Sequence, residues 1–165
     1  MEDEEEELHS LRHRAHSLKG KILRSSLEPG MGLHGISLEW VDLKGIDLSR
    51  VRLQGANLHG AELHRVSFEH ANLEDANLTL AKLGGANLQG ACLRRACLLD
   101  ADLRDGNLEA ADLSGADLRE TDFTGANLRS AALNGAKYSK GEKFHKDTRW
   151  PEGFDPEAAG AHVEG

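Results

Sequence analysis

The chain has 165 residues, a net charge of −8 and only 4% aromatic residues. It contains 26 Leu and 20 Ala, and its 18 Gly are more than an ordinary helical bundle would hold. The acidic balance argues against a protein that binds nucleic-acid backbones, which would be basic. No apolar run approaches the roughly 20 residues of a membrane-spanning helix. The composition therefore predicts a non-membrane protein with an aliphatic core.

Residues 1–30 are predicted to form an acidic N-terminus followed by a capping helix. Over residues 7–26 the apolar residues recur at helical spacing and make one stripe. The stripe consists of Leu8, Leu11, Ala15, Leu18 and Ile22. Pro29 and Gly30 then end the helix. Because residues 1–7 lack the basic start of a secretory signal, we expect the protein to stay in the cytoplasm.

Three histidines lie on another side of the same predicted helix. His9, His13 and His16 follow helical spacing, which is the geometry of a metal site on a helix. No cysteine or further histidine lies close to them in the sequence. We therefore expect a solvated polar face, with no metal or cofactor, and keep the three histidines as the candidate ligands.

A repeat of five residues fills residues 31–140. This segment reads in one register as 22 pentads. The third position of every pentad is Leu, Phe or Tyr, and the first is Ala in fourteen pentads. The second position is mostly Asp, Asn or Ser, and the fifth is often Gly. A period of five matches neither a helix nor a long strand, so each pentad is predicted to be one short extended piece followed by a turn.

Positions one and three of a pentad lie two residues apart and share a face, so both are predicted to point into the core. The residues of position two point outward, and their side chains and the glycines of position five supply the turns. The predicted core includes Leu58, Leu78, Leu83, Leu98, Leu103, Phe68 and Phe123.

The pentads resemble the A(D/N)LxX signature of the pentapeptide-repeat family. Residues 56–60 read Ala-Asn-Leu-His-Gly, and residues 116–120 read Ala-Asp-Leu-Arg-Glu. The resemblance implies an all-β fold, a right-handed quadrilateral parallel β-helix, in which four pentads close one rung of 20 residues and the rungs stack through ladder hydrogen bonds. Its 22 pentads would make about 5.5 coils.

Residues 141–165 leave the register and are predicted to be a short C-terminal capping tail. Phe144, Trp150 and Phe154 concentrate aromatic side chains there, where they would cover the last rung. The tail is also similar to C-terminal segments of cyanobacterial members of the family. Because the tail blocks that end, we expect a monomer rather than a dimer formed through the C-terminal end.

The two cysteines, Cys92 and Cys97, both occupy position two of their pentads. A spacing of five places them on adjacent outer faces, where their Cβ atoms diverge and cannot form a disulfide. We expect two small outward-facing thiols.

One outer face collects apolar residues. Leu80 and Leu99 are outward-pointing leucines that fall on neighbouring rungs beside Cys97, and Trp40 lies on the same face. Such a cluster is typical of a contact surface, although tolerated variation is the alternative. Trp40 has a second interpretation, packing under the N-terminal cap.

No catalytic arrangement is recognisable, so we expect a non-enzymatic binding or scaffold module with an unidentified protein partner. The alternative, which the family resemblance suggests, is an inhibitor or protector of DNA gyrase or topoisomerase that mimics DNA. That mechanism needs a strongly negative rod. Residues 31–140 hold 15 acidic and 12 basic residues, a net charge of only −3.

Overall fold

The computed structural model describes residues 27–139, 143–145, 147–156, 158 and 162–164. Between residues 32 and 137, position two of each pentad forms a parallel bridge with position two of the pentad 20 residues later. The series runs from Gly32–Arg52 to Asp117–Lys137. Four pentads therefore make one rung, as the family resemblance implied, and the outer surface has four faces.

Each pentad uses its backbone hydrogen bonds in the same way. In the pentad at residues 81–85, Lys82 N–H donates to Ala61 of the preceding rung at 2.9 Å. Leu83 and Gly85 donate to the following rung at 2.7 and 2.8 Å. The next residue, Ala86, donates to Leu83 at 2.9 Å and closes the turn. This pattern satisfies the buried backbone groups without long strands.

Positions one and three fill the interior of the rod. The seven core residues named from the sequence are all at most 1% exposed. Ala at position one leaves room for the large side chain at position three, and the interior is packed as one continuous apolar column. The predicted inward and outward assignment is confirmed for these positions.

The turn residue at position five has a positive φ at every pentad from Gly30 to Gly135. Glycine adopts this conformation without steric cost. Twelve of these positions nevertheless hold other residues, including Trp40 with φ 57° and Leu80 with φ 59°. The ladder bonds on both sides of the turn therefore impose the left-handed conformation on residues that disfavour it.

Side chains at position two support the turns, as the sequence predicted. From Asp42 to Asn127, all twelve Asp and Asn residues at this position accept a hydrogen bond from the backbone N–H two residues later. The N–H of position four points outward and has no ladder partner, so the Asx side chain satisfies it.

The tail returns to the ladder. Arg149 pairs with Asn127, which is 22 residues away rather than 20. Thr148 is buried, and its hydroxyl donates to the Phe123 carbonyl at 2.8 Å. Thr121 makes the equivalent bond to Leu98 at 2.8 Å from position one of its pentad. Residues 148–150 thus resume positions one to three after a two-residue insertion.

Aromatic rings close the C-terminal end of the rod. Trp150 lies 6.1 Å from Phe123 between ring centroids and stacks on Phe154 at 5.1 Å. Tyr138 contacts Phe154 at 6.2 Å. These contacts fit the predicted covering by Trp150 and Phe154, whereas only the backbone of Phe144 is described.

Two short strands lie in the tail. The strands β1 (Lys143–His145) and β2 (His162–Glu164) pair in parallel, with Lys143 opposite His162. The helix predicted over residues 7–26 and the histidines at 9, 13 and 16 lie outside the described residues. Within the described part of the chain, no helix is long and apolar enough to cross a membrane.

Candidate functional site

We define the Trp40 face as the outward side chains of the pentads that begin at residues 36, 56, 76, 96, 116 and 136. It holds both large hydrophobic side chains that are exposed among the described residues. Trp40 is 64% exposed and Leu80 is 43% exposed. They occupy position five of their pentads, two rungs apart on the same edge of the face. The spacing of the sequence predicted this placement.

Trp40 packs along its own face. Its ring meets the His59 ring edge-on, with 5.1 Å between centroids, and its backbone N–H donates to His59 at 2.9 Å. Gly60, directly beneath the indole, has no side chain, and a Cβ there would overlap with the six-membered ring. The indole therefore rests on the backbone of the next rung and keeps most of its surface exposed.

Leu80 continues this apolar surface toward the C-terminal end. Its backbone N–H donates to Leu99 at 3.0 Å, so the two leucines are neighbours on consecutive rungs. Leu99 is half-buried. Beside it, the Cys97 thiol lies 3.2 Å from the Thr79 hydroxyl. The structure thus brings Leu80, Leu99 and Cys97 together, and Gly60 joins Trp40 to them.

Acidic groups border the Trp40 face at both ends. Glu39, next to Trp40, accepts a hydrogen bond from the Asn57 amide. Asp100 and Glu120 follow Leu80 in the column of position five. The nearby cation Arg119 is held by Asp117 through bonds of 2.7 and 2.6 Å. The border therefore carries acidic groups on both sides of an apolar centre, with one exposed cation, Lys137, at its C-terminal end.

On the other faces, acidic and basic side chains neutralise one another across the rungs. Glu62 contacts Lys82 at 2.5 Å and Lys44 at 3.1 Å, and these two ammonium groups lower the pKa of the carboxyl. Arg95 likewise bonds the Asp75 carboxylate at 2.8 Å and lowers its pKa. These pairs interrupt the negative potential that a mimic of a DNA duplex would need.

No metal site forms among the described residues, which contain no group of three metal-ligating side chains. Cys92 and Cys97 are both free thiols, as expected from their positions on different faces. His59 is a contact residue that the sequence analysis does not single out, although its place 19 residues after Trp40 puts it beside the indole. The signal is the 20-residue spacing, which places Gly60 after Trp40 in the column of position five and therefore His59 next to that column.

The comparison with protein families agrees with this geometry. The family model for pentapeptide repeats matches in eight copies over residues 33–69, 61–100 and 101–137. The chain belongs to the pentapeptide-repeat family. As a pentapeptide-repeat protein it has the solenoid fold that the motif implied. No curated protein matches the chain.

Solved pentapeptide-repeat proteins resemble the chain over its rod. HetL, involved in heterocyst differentiation regulation in the cyanobacterium Nostoc sp. strain PCC 7120, is 34% identical over 64% of this chain, with a TM-score of 0.43. Rfr23 from the cyanobacterium Cyanothece 51142 is 29% identical and covers 72% of this chain and 90% of its own, with a TM-score of 0.48. A protein of the Arabidopsis thaliana thylakoid lumen is 28% identical and covers 72% of this chain and 78% of its own, with a TM-score of 0.49. The chain spans 56% of the length of HetL.

Proposed function

We propose that this pentapeptide-repeat protein is a non-enzymatic protein-binding module that contacts its partner through the Trp40 face. The observation that supports this most directly is the exposure of Trp40 and Leu80 on one edge of that face. Exposed aromatic and aliphatic side chains that lie together favour association, because burying them removes apolar surface from water. The rod supplies a rigid backbone, so little ordering is needed when a partner binds.

The chemistry of the face also indicates the kind of partner. The apolar centre is flanked by Glu39 on one side and by Asp100 and Glu120 on the other. A partner segment with an aliphatic or aromatic anchor and basic residues on both sides would complement it. The aromatic anchor Trp40 belongs to a residue type that often dominates binding energy at interfaces.

A quantitative pull-down tests this proposal. The double variant Leu80→Asp/Leu99→Asp places two charges in the apolar centre and should abolish recovery of the partner. Gln89→Asp adds a charge on another, exposed surface and serves as the control. Circular dichroism before the assay shows that each variant is folded. Partner recovery that is equal for the double variant and the wild type would remove the Trp40 face as the contact surface.

The DNA-mimic alternative is less well supported. The net negative charge favours it, but the rod carries paired charges such as Glu62 with Lys82 and Asp75 with Arg95. A DNA gyrase supercoiling assay separates the two functions. Inhibition at micromolar protein that persists in Leu80→Asp/Leu99→Asp would favour the mimic over the protein-binding module.

The N-terminal helical cap belongs to the same proposal. We propose that residues 7–26 cover the first rung with the stripe of Leu11 and Leu18, so that the rod does not polymerise end to end. The complete burial of Leu33 and Leu38 in that rung supports a covered end. Leu11→Asp/Leu18→Asp should then increase the sedimentation coefficient, and an unchanged monomer would contradict the cap.

A further inference from the structure

A groove interrupts one corner of the rod, away from the Trp40 face. It has a volume of about 600 Å³, and its floor is the pair Gly84–Gly85 at positions four and five of one pentad. The preceding rung contributes His64 and Arg65, and the following rung contributes Arg104. Because neither glycine has a side chain, the backbone is open to the groove. We call this feature the Gly84 notch.

The Gly84 backbone N–H has no acceptor among the described residues. In twelve other pentads an Asp or Asn at position two accepts the equivalent N–H, as Asp102 does for Arg104 at 3.1 Å. In this pentad the second position is Lys82, whose ammonium group is instead paired with Glu62. The notch therefore contains a free backbone donor.

Basic side chains line the groove around this donor. The Arg65 stem lies against Gly85, and its guanidinium forms no ion pair with any described residue. The imidazole of His64 lies over Gly84, with Nδ1 3.0 Å from where a Cβ would be. Lys44 lines the same groove from one rung further away, but its ammonium group is paired with Glu62 at 3.1 Å.

Two acidic residues also line the groove, and the Asp102 carboxylate lies beside Gly84, with Oδ2 3.8 Å from where a Cβ would be. Asp102 receives two hydrogen bonds from the Arg104 guanidinium, at 2.8 and 2.7 Å, which also lower its carboxyl pKa. Asp105 leans onto Gly125 of the following rung. Arg65 and Gly84 N–H are thus left to meet a ligand.

We propose that the Gly84 notch binds a tetrahedral oxyanion of the phosphate class. An unpaired guanidinium and a glycine N–H form charge-assisted hydrogen bonds with such an anion, and the imidazole of His64 adds a third donor when Nδ1 carries a proton. The missing side chains at residues 84 and 85 allow the oxygen atoms to reach the backbone. The site is independent of the Trp40 face.

Amide NMR of the full-length protein tests the site with inorganic phosphate as the probe. The Gly84 amide resonance should shift in a saturable way, and Arg65→Gln should weaken binding about tenfold, because it removes a charge-assisted bond. Arg129→Gln, which removes an exposed arginine elsewhere on the rod, should leave the affinity within about twofold. A Gly84 resonance that does not saturate, or equal losses in the two variants, would overturn the proposal.

A second pair of variants isolates the backbone donor. Lys82→Asn and Lys82→Gln both remove the bond to Glu62, but only Asn is the residue type that accepts the position-four N–H elsewhere in the rod. Lys82→Asn should therefore weaken phosphate binding severalfold relative to Lys82→Gln. Equal affinities for the two variants would show that Gly84 N–H does not contact the anion.

The source of the oxyanion is addressed by comparing inorganic phosphate, sulfate and a phosphoserine peptide. Tighter binding of the peptide with the same Gly84 shift would assign the notch to a phosphorylated protein, and equal binding would assign it to a free anion. In Leu80→Asp/Leu99→Asp the phosphate titration should be unchanged. A loss of phosphate affinity in this double variant would contradict the independence of the Gly84 notch and the Trp40 face.

Discussion

The indole of Trp40 covers Gly60 of the next rung, which is buried because of this contact. The same relationship recurs along position five, where His70 covers Gly90 and Asp105 leans over Gly125. At these three positions, a side chain is thus accommodated by a glycine 20 residues later. The exposure of Trp40 depends on this platform.

Gly60→Ala is predicted to displace the indole. The new methyl group would overlap with the ring, which would have to swing away from His59. Gly55→Ala is the matched control, because Gly55 has φ +64° against +63° for Gly60, but its Cβ would contact nothing within 4 Å. Both variants should lower the free energy of unfolding by about 1 kcal/mol, because alanine disfavours the left-handed conformation. Only Gly60→Ala should also shift the Trp40 indole N–H resonance. An identical NMR response from both variants would contradict the stacking.

The interior is predicted to tolerate no charge. Leu83 is fully buried, so Leu83→Asp would bury a carboxyl group without a partner and should unfold the rod cooperatively, at a cost above about 4 kcal/mol. Gln89→Asp is exposed and should change the stability by less than about 0.5 kcal/mol. Urea denaturation measures both. Similar midpoints would mean that the inward and outward assignment is wrong.

The hydrogen bond from Ser114 N–H to Asp112, at 3.0 Å, is predicted to stabilise the turn mainly through the side-chain oxygen, with a smaller contribution from the carboxylate charge. Asp112→Asn keeps that oxygen, as at the natural Asn positions, and should be nearly neutral. Asp112→Ala leaves the N–H without its protein acceptor and should cost about 1 kcal/mol. Denaturation in urea compares the two, and an equal loss would show that the carboxylate charge supplies the stabilisation.

Acid is predicted to destabilise the rod below about pH 4. Hydrogen bonds from cations, serine hydroxyl groups or backbone N–H groups lower the carboxyl pKa of Asp47, Glu62, Asp102, Asp112 and Asp117. A lowered folded-state pKa contributes stability that is present above the unfolded pKa and is lost as the pH falls through the folded value. These groups should therefore leave the Tm unchanged between pH 8 and pH 5, and the Tm should fall at lower pH. The double variant Asp47→Asn/Asp112→Asn should reduce the fall of the Tm in acid. A dependence of the Tm on pH that equals that of the wild type would contradict the contribution of these two carboxyl groups.

Much of the fold was predictable because every side chain in a pentad has one role. Leu58 and Phe68 are buried where their position requires, and the 20-residue spacing correctly placed Trp40, Leu80 and Leu99 on one face. The resumption of the ladder at Arg149 was missed, because two inserted residues move it out of the pentad register. Thr148 gives a usable signal, since Thr121 already shows a threonine at position one donating to a core carbonyl.

The Gly84 notch was less accessible from the sequence. The pattern reveals that residues 84 and 85 lack side chains, and it reveals that Lys82 replaces an Asx residue. It does not reveal where Arg65 and Asp105 lean, because their conformations depend on which neighbours in adjacent rungs are glycine. The ion pair of Asp102 with Arg104, which leaves Arg65 as the available cation, likewise requires the three-dimensional arrangement.

The aromatic cover at the C-terminal end is predicted to prevent association of rods. Trp150 packs on Phe123, the last large side chain of its core column. Trp150→Ala should lower the stability by about 2 kcal/mol, less than for a fully buried tryptophan because Trp150 is half-buried. It should also expose Phe123 and produce oligomers that grow with protein concentration.

Trp40→Ala is the matched control, since it removes an exposed indole from a side face. It should leave a monomer and lower the stability by less than about 1 kcal/mol. Light scattering after size-exclusion chromatography distinguishes the two, and a monomeric Trp150→Ala protein would show that this ring is not what blocks the end.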